Sequence, residues 1–173
     1  MRSRWTLHLR PKHLAHFINL NDDIPALPPG KPAVDILSDF IKYLFQCARD
    51  YIKENHPALA WSTVENSIEY IFTHPNGWEG LQQQLYRRAI VCAGLVLGTR
   101  DGQSRVHLLS EGEASLHYCV PNLLEMKTAN QPGPQGVVII DAGRRTIDLS
   151  AFLMTFNPIS GAEMAPVECM RNH

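Results

Sequence analysis

The apolar residues of the segment 33–55 recur at steps of three and four, a spacing that places them on one face of a helix. We therefore predict a helix over 33–55 and expect this face to pack on the core. The residues on the face are Val34, Leu37, Ile41, Leu44, Ala48 and Ile52. The segment before it, 21–32, is rich in proline and is predicted to be a loop.

Shorter segments of different periodicity follow. Residues 67–73 are aromatic and β-branched and end at a His-Pro-Asn-Gly turn, which predicts a strand. Residues 78–95 return to helical spacing, with Trp78 expected to pack against the sheet. A turn over 101–104 and a second strand over 105–110 are predicted next.

A helix start is predicted at Ser110, because a hydroxyl followed by Glu113 three positions later is the pattern of a capping box. The helix should run toward Cys119, and Pro121 should end or kink it. The segment 128–135 contains Pro-Gly-Pro and is predicted to be a surface linker.

The strongest local signal is Gly-Val-Val-Ile-Ile-Asp-Ala-Gly over 136–143, followed by a second strand-like segment, and it predicts two strands about a tight turn. The unbroken apolar run 137–140 is typical of a strand buried on both faces. Helical and strand-like segments alternate along the chain, which favours an α/β fold with a largely parallel sheet.

Composition narrows the class of protein. The chain has 173 residues, of which 45% are hydrophobic and 19% are charged, which favours a globular protein of about one domain. Its net charge of −1 and the lack of a long basic run argue against nucleic acid as a partner. The longest apolar run, 89–98, is too short to cross a membrane, and the amino terminus lacks the apolar core of a secretory signal. We expect a cytoplasmic protein without a membrane partner.

The four cysteines, Cys47, Cys92, Cys119 and Cys169, are far apart and form no C-x-x-C pair. The favoured interpretation is buried free thiols, with disulfides or a metal site as alternatives.

Two carboxylates are candidates for chemistry. Asp141 ends the predicted buried strand, where α/β proteins open into a ligand crevice, and it could hold a hydrated Mg²⁺. The alternative is a strand that ends in an Asx-type turn without a ligand. Glu111 lies between a strand and a helix and could orient a water for attack on a phosphate. By spacing alone, a simple acidic helix start is the favoured reading of Glu111.

A resemblance covers nearly the whole chain. Three blocks carry it: Thr-His-Pro-Asn-Gly-Trp-Glu-Gly-Leu-Gln-Gln-Gln-Leu-Tyr-Arg-Arg-Ala-Ile-Val-Cys-Ala-Gly-Leu from Thr73, Leu-Ser-Glu-Gly-Glu-Ala-Ser-Leu-His-Tyr-Cys from Leu109, and Val-Ile-Ile-Asp-Ala-Gly-Arg-Arg-Thr-Ile-Asp-Leu-Ser from Val138. Their residues and order resemble the nucleotide-binding domain of the heat shock protein 70 family, and most of all its divergent fungal branch. The resemblance implies a partial actin-like ATPase (ribonuclease H-like) fold, with a mixed sheet and flanking helices.

The resemblance also implies roles for particular residues. Glu111 matches the family's glutamate that acts through metal-bound water near the γ-phosphate of ATP. Asp141, Gly143 and Thr146 match the second phosphate motif, and Arg144 and Arg145 stand where the family has glycines. ATP and Mg²⁺ are the implied cofactors. Glu111 and Asp141 are the implied catalytic residues, and both are implied to hold Mg²⁺, Glu111 through a water molecule. Protein clients or co-chaperones are the implied partners.

The departures from the family pattern shape the hypothesis. Side chains at Arg144 and Arg145 could hinder the close approach of backbone to phosphate, or a guanidinium could bind the phosphate instead. The first phosphate motif, the adenosine-binding segment and the peptide-binding domain have no counterpart in the chain. The predicted organisation is a first lobe with an extended segment 1–32 and a later part 33–135, then the truncated opening hairpin of a second lobe, 136–173.

The leading hypothesis is a fragment of an ATPase that binds the phosphates of ATP with Mg²⁺ and whose hydrolysis is weak or lost. The alternatives are a protein-interaction module without enzyme activity and a functionless gene-model fragment.

Overall fold

The structure, a computed structural model, describes residues 8–10, 26–126, 135–142, 147–157 and 161–166. The helices are α1 (Ala33–Asn55), α2 (Trp61–Val64), α3 (Gly80–Cys92), α4 (Arg100–Ser104) and α5 (Glu111–Met126), with a 3₁₀ turn at Glu65–Ser67. The strands are β1 (Tyr70–His74), β2 (Val106–Ser110), β3 (Gln135–Ala142), β4 (Ile147–Asn157) and β5 (Gly161–Pro166). The chain is therefore a mixture of helices and small sheets, as the α/β prediction requires.

The chain divides into two compact units. Unit 1 comprises Met1–Phe72 and Trp78–Leu108, and unit 2 comprises Thr73–Gly77 and Leu109–His173. The divisions of the chain fall inside β1 and β2, which pair with each other in a two-stranded sheet. The boundary between lobes expected at 135 and 136 stays a prediction.

Helix α1 spans the predicted residues, but its buried face is shorter than the periodicity indicates. Leu37 and Ile41 are buried, whereas Leu44 is 49% exposed and Ala48 is exposed too. The expectation that Leu44 and Ala48 reach the core was wrong. All the buried residues of α1 lie in the segment 33–41, so the core of unit 1 covers only the first part of the helix.

A row of six aromatic rings runs through unit 1. The rings follow one another in the order Trp61, Phe45, Tyr70, Phe72, Tyr86 and Trp78, with centroids 5.6–6.5 Å apart. Trp78 is buried, as its place in the sequence suggested, and its ring meets Tyr86 edge-on. Ring pairs at these separations stabilise the fold beyond the burial of their surface. The row therefore connects α1, α2, β1 and α3.

Helix α3 ends earlier than its apolar spacing predicts. Gly94 has a φ of 80°, and its amide donates to the carbonyl of Val91 at 2.9 Å. The amide of Leu95 donates to the carbonyl of Ile90 at 3.4 Å. These two bonds form a Schellman motif, which needs a left-handed residue that glycine supplies most easily. Leu95 and Val96, which follow Gly94, therefore pack on the core outside the helix, whereas Leu97 is exposed.

Other boundaries in unit 1 shift by a few residues. Strand β1 begins at Tyr70, because Glu65–Ser67 forms the 3₁₀ turn. The predicted turn at 101–104 is the short helix α4, whose first amides are capped by Thr99: the amide of Gly102 donates to Thr99 Oγ1 at 3.1 Å. Strand β2 has nearly the predicted bounds.

In unit 2, α5 continues through Pro121 to Met126, so Pro121 does not end the helix, and the alternative of a kink at Pro121 stays a prediction. Strands β3, β4 and β5 form one sheet in that order, and both pairings are antiparallel. The expectation of a largely parallel sheet was wrong for these strands. Only residues 143–146 connect β3 to β4, whereas a parallel pair needs a crossover of about a dozen residues or more.

The two faces of the β3–β4 hairpin differ in exposure. Val137 and Ile139 of β3 pack against a core of Leu116, Phe152 and Met154. Val138 and Ile140 alternate with them and are 61% and 63% exposed. The prediction that the run 137–140 is buried on both faces was therefore wrong, since α5 covers one face and the apolar residues of the other face are exposed.

Candidate functional site

The start of α5 is built as the sequence predicts. The amide of Glu113 donates to Ser110 Oγ at 3.1 Å, and the amide of Ser110 donates to a carboxylate oxygen of Glu113 at 2.9 Å. This is the reciprocal pair of a capping box, and it is confirmed. It fixes Glu111, which is half-buried, as the first residue of the helix. The cap interpretation and the catalytic hypothesis for Glu111 are thus compatible, because Glu113 and not Glu111 closes the box.

Hydrogen bonds of the Asn76 side chain connect this helix start to the sheet of unit 2. The amide of Gly112 donates to Asn76 Oδ1 at 3.1 Å, and Asn76 Nδ2 donates to Ser150 Oγ at 3.1 Å. Asn76 lies in the predicted turn after β1, where Gly77 has a φ of 77°. The turn, the start of α5 and β4 are therefore held together by one side-chain amide.

Gly112 is required by this arrangement. A Cβ at this position would lie 2.8 Å from Ser150 Cβ and even closer to Ser150 Oγ, so α5 could not approach β4 as it does. Sequence reasoning missed the roles of Asn76 and Ser150. These two residues are 74 positions apart, and no local pattern indicates that they meet.

Asp141 lies directly opposite Asp148 in the β3–β4 register. Because opposite residues of an antiparallel pair share a face, both carboxylates lie on the face that Val137 and Ile139 present to α5. Asp141 is exposed and Asp148 is half-buried. The hairpin thus carries two acidic side chains in directly opposite register near its turn.

The described residues offer few ligands for a metal ion. In the part of the chain that the structure describes, no three or more His, Cys, Asp or Glu side chains come together as a metal-binding group. A site closed by protein ligands alone is therefore not formed by those residues. Mg²⁺ needs only one or two carboxylates when phosphate oxygens and water supply the rest, and Asp141 with Asp148 fits that requirement.

Four predicted phosphate-site residues lie outside the described residues: Gly143, Arg144, Arg145 and Thr146. Their predicted contacts with phosphate and the effect of the two arginines stay predictions. Among the predicted site residues, the structure describes Glu111 and Asp141, both in unit 2.

A groove of about 640 Å³ lies beside Asp141. Helix α5 lines it with Ala114, Ser115, Tyr118 and Cys119, and β3 lines it with residues 138–141. The lining is mostly apolar, and among the described lining residues Asp141 is the one carboxylate.

The cysteines are free where they are described, as predicted. The expectation that they are buried was wrong for Cys47 and Cys92, which are exposed, while Cys119 is intermediate. Cys47 lies on the part of α1 that the core does not cover. Cys169 lies outside the described residues.

Comparison of the chain with protein-family models, with curated proteins and with solved structures found no match. None of the helices in the described segments is both long enough and apolar enough to cross a membrane.

Proposed function

We propose that unit 2 binds the phosphates of a nucleotide together with Mg²⁺ at the turn end of the β3–β4 hairpin, and that hydrolysis is weak or lost. The proposal rests on the resemblance of the sequence to the heat shock protein 70 nucleotide-binding domain, including its actin-like ATPase fold. The observation that carries it furthest is the pairing of Asp141 with Asp148 on the face toward α5. Two adjacent carboxylates repel each other in the absence of a cation, so a bound Mg²⁺ would stabilise the hairpin.

The resemblance assigns Glu111 to the same site. The capping box and the Asn76 bridge fix the first turn of α5 relative to β4, the strand that carries Asp148. A fixed carboxylate near a phosphate can orient an attacking water, which is the role that the resemblance gives to Glu111. Arg144 and Arg145 stand where the family's second phosphate motif has glycines, which hinders close approach of backbone to phosphate, so fast phosphoryl transfer is not expected.

Isothermal titration calorimetry with Mg²⁺ and ATP tests the proposal on the full chain. We expect saturable binding that EDTA abolishes and that Asp141→Asn weakens about tenfold or more, which corresponds to at least about 1.4 kcal/mol. Asp101→Asn, an exposed acidic residue of α4 in unit 1, is the matched control and should bind as the wild type does. Absence of heat at millimolar nucleotide, or equal binding by Asp141→Asn, would refute the proposal.

Glu111→Gln separates binding from chemistry. Because Gln is close in size and carries no charge, it should leave nucleotide affinity within about threefold of wild type while removing residual hydrolysis. Release of inorganic phosphate over hours measures that residual rate.

A further inference from the structure

Strand β3 is an edge of the sheet in unit 2. The strand order is β3-β4-β5, and within the described residues β3 pairs with β4 alone. All eight residues from Gln135 to Ala142 are in register with β4. The opposite side of β3 therefore presents a row of backbone N–H and C=O groups that can pair with a further strand.

This edge carries few of the features that protect edge strands. Natural edges are blunted by lysine, proline, bulges or short length. Strand β3 has the sequence Gln-Gly-Val-Val-Ile-Ile-Asp-Ala, with no lysine or proline, and its register with β4 is uninterrupted by a bulge. Its one charged residue is Asp141, near the end.

The groove of about 640 Å³ follows this free edge. Residues 138–141 line it, and they point alternately to the two faces of the sheet, while no described residue of β4 is part of the lining. A groove on one face would be lined by every second residue of β3 and by neighbours on β4. The lining therefore places the groove along the edge, with α5 as its other wall.

We propose that this groove binds an extended peptide segment of a partner protein, which adds to β3 as a further strand and carries a basic residue beside Asp141. Main-chain hydrogen bonds to the edge would supply affinity, and alternate side chains would contact Ser115 and Tyr118 of α5 or the apolar outer face of the sheet. If the added strand is antiparallel, its amino-terminal end lies beside Asp141. This inference goes beyond the phosphate proposal and does not depend on it.

A single strand fits the groove better than a second copy of the chain. Antiparallel pairing of β3 with β3 of another copy would bring the α5 helices of both copies to the same edge. A peptide brings only a strand. A basic residue is favoured because Asp141 is an acidic residue in a lining whose other described members are uncharged or apolar.

The test uses fluorescence anisotropy with the full chain and a labelled peptide, Arg-Val-Thr-Val-Thr-Val amide, in the absence of nucleotide. We expect saturable binding with a Kd of about 10–100 μM. The same peptide with every backbone amide methylated cannot donate a hydrogen bond to the edge from either side, and its binding should be lost. Equal binding of the methylated peptide, or no saturation at about 1 mM peptide, would overturn the proposal.

Variants locate the peptide on the protein. Ala114→Phe fills the groove from the α5 side and should abolish binding, whereas His117→Phe, an exposed α5 position outside the lining, should bind as wild type. Circular dichroism checks that both variants fold. Asp141→Asn should weaken binding of the peptide about threefold to fivefold. It should not change binding of a second peptide in which Thr replaces Arg.

Light scattering on the same samples distinguishes a peptide from a second copy of the chain as the occupant of the β3 edge. A monomer that binds the peptide supports the proposal. A dimer that the peptide fails to dissociate, with no peptide binding, would show that another copy occupies the edge and would overturn it. Because no nucleotide is present, these results do not depend on whether phosphate binding succeeds.

Discussion

Asp141 and Asp148 face each other across the β3–β4 hairpin, on the side of the sheet that α5 covers. Like charges directly opposite in an antiparallel pair destabilise it, typically by a few tenths to about 1 kcal/mol. From this register we expect a repulsion between the two carboxylates, which a bound cation would relieve if the proposed function is right.

Asp148→Asn removes that repulsion while keeping the shape of the side chain. We expect the metal-free variant to be more stable than wild type by up to about 1 kcal/mol, and by less at high salt, because salt screens the charges. Urea denaturation at low and high ionic strength measures this. Asp101→Asn should show no comparable gain, and destabilisation of Asp148→Asn at low salt would contradict the repulsion argument.

The close approach of α5 to β4 leads to a prediction about Gly112. A Cβ there would collide with Ser150, so Gly112→Ala should lower the free energy of unfolding by about 1–3 kcal/mol. At Gly136 nothing lies within 4 Å of the added Cβ. Gly136→Ala is therefore the matched control and should be neutral or slightly stabilising. Combining Gly112→Ala with Ser150→Gly should recover part of the loss, and its failure to do so would argue against a steric cause.

The capping box predicts which substitutions at the start of α5 lower the stability of the protein and which leave it nearly unchanged. Ser110→Ala removes the acceptor for the Glu113 amide and should cost about 1 kcal/mol of stability. Ser110→Asp keeps an acceptor and should cost much less. Glu113→Gln retains a group that can accept a hydrogen bond from the Ser110 amide, so its stability should be close to that of wild type. Glu113→Ala has no such group and should be less stable than wild type. Chemical denaturation of the four variants gives the comparison.

Alkaline pH tests the burial of the aromatic row. Burial chiefly raises the pKa of Tyr70 above its ordinary value of 10.0, Glu65 raises it further, and Arg105 opposes the shift. Above pH 10.0 the unfolded chain loses this proton while the folded chain keeps it, so stability is full below that pH and falls as pH rises toward the folded pKa. Tyr70→Phe cannot ionise and should lose less stability over the same range. Thermal unfolding of both proteins between neutral and alkaline pH measures the difference.

Much of the secondary structure follows from local patterns. The apolar period of α1 predicts its bounds, and the Ser110–Glu113 spacing predicts the start of α5. The β3–β4 hairpin is indicated by two strand-like runs on either side of a Gly-Arg-Arg segment. Each of these signals depends on residues a few positions apart, for which spacing and hydrogen-bonding capacity are enough.

Other features depend on contacts distant in sequence. Periodicity marks Leu44 as apolar and on the same face as Leu37, yet the core of unit 1 ends before it. The apolar run of β3 cannot show that α5 covers only the face of Val137 and Ile139. Asn76, Gly112 and Ser150 meet only when three elements fold together.

The sequence by itself determined where α1 and the β3–β4 hairpin form, where α5 begins, which carboxylates to consider, and the resemblance on which the phosphate proposal rests. The tertiary structure decided that Asp141 is paired with Asp148, that Asn76 joins α5 to β4, and that β3 is an edge strand beside a groove. The physical reason is that local patterns record which backbone conformation and which exposure a residue prefers. Register, edges and grooves are set by which distant segments meet.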